Sequence, residues 1–62
     1  MIHIAPPNTH EAVLFQLPDA NLAWLHFLDK DGNEDKRTQI ALTPGHYNMV
    51  SFKDGVVTLE AS

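Results

Sequence analysis

The sequence contains no cysteine, which excludes disulfides and thiolate metal sites outright. Cations are scarce: Lys30, Lys36, Arg37 and Lys53 stand against 8 acids, for a formal charge of −4. A sequence-independent grip on nucleic-acid phosphates does not suit that balance, and no nucleic-acid partner is expected. Long hydrophobic runs are missing as well. Ala12 to Phe15 and Leu22 to Leu25 are far too short to span a bilayer, so no membrane partner is expected. Met1-Ile2-His3-Ile4-Ala5 runs straight into Pro6-Pro7 without the basic-then-apolar order of a secretory leader, and a cytoplasmic location is the expectation. Glycine occurs only at positions 32, 45 and 55, too scattered to cradle a phosphate.

What is present describes a small globular chain. Hydrophobic residues make up 44% and charged residues 19%, a globular balance rather than a disordered one. The 62 residues allow one domain, 1–62. A chain of 6.9 kDa exposes about 10,000 Å² unfolded and about 4,000 Å² folded. With roughly 60% of the difference apolar, burial contributes about 90 kcal/mol, and conformational entropy opposes it with about the same. Stability must therefore come from a tightly idealised core, a non-thiolate metal or oligomerisation.

The C-terminal third carries the clearest pattern. Tyr47 to Lys53 and Val56 to Ala61 alternate on either side of Asp54-Gly55, the turn chemistry of a two-residue hairpin loop. That loop opposes Lys53 to Val56, Phe52 to Val57, Val50 to Leu59 and Asn48 to Ala61, with Val50, Phe52, Val57 and Leu59 on one apolar face. Arg37 to Leu42 also alternates and ends at Thr43-Pro44-Gly45-His46, so residues 37 to 61 read as a three-stranded meander with Ile40 opposite Val50. Met1 to Ala5 is a short strand stopped by two prolines. Glu11 to Leu17 and Leu22 to Asp29 are apolar on both faces, as central or covered strands are. The fold expected is all-β, a small antiparallel barrel or sandwich of five to six short strands. The alternative is α+β, with one or two short helices within 9–30 packed on the meander, since Asn8 and Glu11 resemble a capping box and Ala20, Ala23, Trp24, Phe27 and Leu28 have helical spacing.

Residues that could carry chemistry are few. Asp29, Asp31, Glu34 and Asp35 are four of the 8 acids, yet they miss the EF-hand pattern: Gly32 stands at the fourth position and Ile40 at the twelfth. The ordinary reading is a solvated turn. His3, His10, His26 and His46 include no pair at the spacing that brings two ligands together on a strand or helix, so no metal or other cofactor is expected. His26 lies in the most apolar segment. Buried at a subunit contact it would make assembly sensitive to acid, since imidazolium is costly in apolar surroundings. No nucleophile sits in a strained or glycine-rich setting, and an enzyme is not expected.

The remaining feature is excess apolar surface. Trp24, Leu22 and Leu28 lie on one side of their strand with Leu25 and Phe27 on the other, and one small layer cannot cover both. The chain therefore reads as a non-enzymatic protein–protein interaction module that self-associates, of the kind used as a small structural or accessory protein by viruses and mobile elements. Its expected partners are itself and another protein. The interface is expected among Trp24, Phe27, His26, Leu28, Tyr47 and Met49, residue types suited to contact cores. One alternative is a stoichiometric inhibitor using Asp29, Asp31, Glu34 and Asp35 against a basic, nucleic-acid-handling protein. The other is a weak divalent-cation or ligand-binding domain at the same turn.

Overall fold

Alternation at every second residue makes strands. The computed structural model describes residues 1–16, 22–41 and 47–61 and contains six strands and no helix among them. These are β1 (Ile2–Ile4), β2 (Glu11–Gln16), β3 (Leu22–Leu28), β4 (Glu34–Ala41), β5 (Tyr47–Lys53) and β6 (Val56–Ala61). The helical alternative for 9–30 is overturned. A helix burying Ala23, Trp24 and Phe27 would turn Leu25 away from them, whereas in β3 Ala23, Leu25 and Phe27 are buried together and Trp24 points outward.

The strands form two three-stranded antiparallel sheets, ordered β1-β6-β5 and β2-β3-β4, not closed into a barrel. The three-stranded meander expected over 37–61 does not form: β4 belongs to one sheet and β5 to the other. The physical reason lies in β3, which is apolar throughout and has two edges to pair. β2 and β4 take those edges, so Ile40 faces Ala23 rather than Val50. The Pro44-Gly45 turn, with His46, lies outside the described residues.

The Asp54-Gly55 hairpin forms as its chemistry requires. Both turn residues have positive φ, 53° and 74°, and Lys53 and Phe52 face Val56 and Val57. Beyond Ser51 the register departs from the expected one. Val50 is an extra, unpaired residue, so that Met49 rather than Val50 faces Leu59 and Tyr47 rather than Asn48 faces Ala61. A bulge of one residue switches which side chains point inward. Val50 is thereby 54% exposed, while Met49 and Tyr47 pack against the core.

The apolar faces of the two sheets share one core of Ala5, Ala23, Leu25, Phe27, Ile40, Val57 and Leu59. β1 extends the other sheet beside β6, where Ala5 donates its N–H to the Gly55 carbonyl at 2.8 Å. The chain then crosses to the second sheet through Pro6-Pro7, and His10 donates to the Leu28 carbonyl at 2.7 Å.

One side chain joins the sheets along their adjacent edges. Gln16, the last residue of β2, donates its amide to the Tyr47 carbonyl at 2.6 Å and accepts from the Tyr47 N–H at 2.8 Å. A primary amide carries one acceptor and a donor side by side, as a peptide does, so Gln16 acts as a one-residue strand pairing with β5. Replacing Gln16 with alanine strands both main-chain groups of Tyr47 in a half-buried seam and is expected to cost about 1–3 kcal/mol. Val50→Thr, at the exposed bulge, should change stability by less than about 0.5 kcal/mol. Urea denaturation monitored by Trp24 fluorescence measures both; equal midpoints for Gln16→Ala and the parent chain would show that the seam does not depend on this amide.

Candidate interaction surface

Because β3 is the central strand of its sheet, its two faces have different fates. Odd-numbered residues Ala23, Leu25 and Phe27 point into the core, and even-numbered Leu22, Trp24, His26 and Leu28 point out. Directly opposed residues in antiparallel strands share a face. The pairing therefore adds Phe15 beside Trp24, Val13 beside His26 and Glu11 beside Leu28 from β2. From β4 it adds Gln39 beside Trp24, Arg37 beside His26 and Glu34 beside Leu28.

The result is an aromatic and aliphatic outer face: Phe15 is 55% exposed, and Val13 and Leu22 are each 37% exposed. Trp24 and Leu28 are half-buried within it. The Arg37 guanidinium lies over the Trp24 ring, 5.4 Å from its centroid, close enough for the ring's negative face to attract the cation. At the Leu28 end, β4 carries one extra residue, Asp35, between Lys36 opposite Phe27 and Glu34 opposite Leu28. That bulge holds Glu34 on the outer face, where its carboxylate Oε1 meets Nδ1 of His26. Among the described residues this is the one contact between an acidic side chain and a group that can carry positive charge, and it is an ion pair only when the imidazole is protonated.

Of the residues that sequence reasoning assigned to an interface, Trp24, His26 and Leu28 come together on this face. Phe27 does not: it is 1% exposed and belongs to the monomer's own core. Tyr47 and Met49 are also displaced from it, because the Val50 bulge turns them inward on the other sheet. Val13, Phe15 and Arg37 were missed, and Leu22, read on the same side of its strand as Trp24, was not assigned to the interface. Their signal was the alternation of Val13 and Phe15 against Ala12 and Leu14, legible as a face only once β2 is paired with β3.

The acidic turn is built for structure first. Asp29 Oδ1 accepts from the N–H groups of Asp31 and Asn33 at 2.9 and 3.0 Å, and Gly32, at φ 82°, donates back to the Asp29 carbonyl at 3.0 Å. This is an Asx turn closing the β3–β4 hairpin. Glu34 is drawn away to His26, so the four acids do not present one surface. A recess of about 410 Å³ separates the turn from residues 7–10. No group of three or more His, Asp or Glu side chains among the described residues could hold a metal ion.

No protein family matches the chain, and no curated protein or solved structure matches it.

The two faces of β3 should respond differently to substitution. Phe27→Ala opens a cavity in the core, a change that costs about 3–5 kcal/mol and is expected to unfold a domain this small. Phe15→Ser on the outer face should cost about 1 kcal/mol or less in dilute protein. Thermal unfolding followed by circular dichroism distinguishes them, and a folded Phe27→Ala would contradict the assignment of faces.

Proposed function

We propose that this chain is a non-enzymatic interaction module that self-associates through the outer face of the β2–β3–β4 sheet, its two sheets forming an open sandwich. The observation that carries the reading is that exposed Val13, Phe15 and Leu22 lie on one face of the sheet with half-buried Trp24. Such a surface offers contact area and no reacting group. Aromatic residues flanked by arginine are the side chains most often found at the energetic centre of protein contacts.

Face-to-face packing suits this chain better than joining sheets edge to edge. β4, the free edge beside the patch, opens with Glu34-Asp35-Lys36-Arg37 and a bulge, both devices that blunt strand addition. β1, the free edge of the other sheet, is only three residues long. A second copy is favoured as the occupant because the face carries both signs of charge, Arg37 with Glu11 and Glu34, around an apolar centre.

Three strands about 4.8 Å apart and some seven residues long span roughly 14 by 20 Å. That footprint, roughly 280 Å² in projection, is well below the roughly 800 Å² per partner of a standard stable interface and belongs with weak, reversible contacts. Association is therefore expected to be concentration-dependent. In sedimentation velocity over a dilution series, the parent chain should pass from dimer to monomer. Phe15→Asp should stay monomeric, while Ile4→Asp, on the other sheet's outer face, should behave as the parent. A parent chain monomeric at every concentration would overturn the proposal. Dispersal by Ile4→Asp alone would move the contact to the other sheet.

A further inference from the structure

Among the described residues the outer face holds one histidine, His26, and its surroundings decide what a proton would do there. His26 is one of the two inner outward-facing residues of the central strand, beside Trp24, 28% exposed in its side chain, with its Nδ1 against Glu34 Oε1. From β2 it is faced by Val13, with Glu11 one pair further along; from β4 it is faced by Arg37, with Glu34 beyond the Asp35 bulge. Arg37 is occupied by the Trp24 ring, and the Glu34 carboxylate, 40% exposed in its side chain, has the His26 imidazole as its one basic side-chain partner among the described residues.

We propose that association through this face takes up a proton at His26, so that self-association tightens as pH falls through the histidine range. The inference rests on the self-association reading and assigns its regulation. With His26 neutral, the fixed charges of the described residues that face it are Glu11, Glu34 and Arg37, one net negative charge per copy, so that pairing Arg37 with a carboxylate of the second copy still leaves one carboxylate per copy without a cation. Covering the face also takes water from the Glu34 carboxylate, and burying a carboxylate without a cation is expensive. An imidazolium on Nδ1 answers both: it pairs the carboxylate and brings the sum of these charges to zero. Linkage gives the sign. A state that binds more protons is favoured as pH falls, and the associated state is the one with more protons. An apolar interface without Glu34 would loosen in acid; the carboxylate beside Nδ1 reverses that direction.

The test is sedimentation equilibrium of the intact chain from about pH 8 to about pH 6, spanning the ordinary histidine range and staying above that of carboxylates. The parent dimer should tighten roughly tenfold over that interval. His26→Gln keeps a neutral hydrogen-bonding group against Glu34 and should associate with no pH dependence. Glu34→Gln removes the charge that the proton answers and should lose the tightening or reverse it. A parent dimer that is independent of pH, or loosens in acid, overturns the proton linkage and leaves the self-association reading standing. Full pH dependence persisting in His26→Gln overturns it too, by assigning the proton elsewhere. A parent chain that never associates at any pH overturns both.

Discussion

Everything in this architecture follows from one strand that is apolar on both of its faces. Leu22 to Leu28 contains a single polar residue, His26, and it occupies the middle of a three-stranded sheet. The β1-β6-β5 sheet brings Val57 and Leu59 to the core that the two sheets share. It buries Ala23, Leu25 and Phe27. Among the described residues none covers the opposite side, where Phe15 and Leu22 are exposed and Trp24 is half-buried. Burial on one face and exposure on the other are thus the same fact, fixed by the period-two geometry of a strand.

Two local devices adapt the covering layer to this task. The Val50 bulge shifts the parity of β5 so that Met49 and Tyr47, larger than the residues they replace, close over the core. Gln16 then ties the end of β2 to Tyr47, using a side-chain amide where the main chain runs out. On the uncovered sheet a second bulge, at Asp35, holds Glu34 beside His26. Bulges re-aim side chains by one position, and both of these place a residue where a regular ladder would not.

The turns were legible in the sequence because their chemistry is local. Asp54-Gly55 announces its own positive φ angles, and the Asp29 turn is held by its own carboxylate. Strand identity was legible too, from alternation and from β3 lacking a solvent side. Neighbours were not. Whether Arg37 to Ala41 pairs with β3 or with β5 depends on long-range packing that no local pattern encodes, and the meander expectation failed there. The assignment of Val50 to the core failed for a related reason, since one bulged residue inverts the side-chain order of everything before it. At the candidate site, Trp24, His26 and Leu28 were found from their own strand, whereas Phe15, Val13 and Arg37 enter only through cross-strand register. The His26–Glu34 pair needed the Asp35 bulge and could not be read from spacing.

The central claim is that the outer face of the β2–β3–β4 sheet is where two copies meet. Trp24 is the sole tryptophan and stands at the centre of that face, so its emission reports the contact directly. On dilution of the folded parent chain through its dimer-to-monomer transition, Trp24 emission should shift to longer wavelength as water reaches the indole. An emission maximum that stays constant while the dimer dissociates would contradict the account.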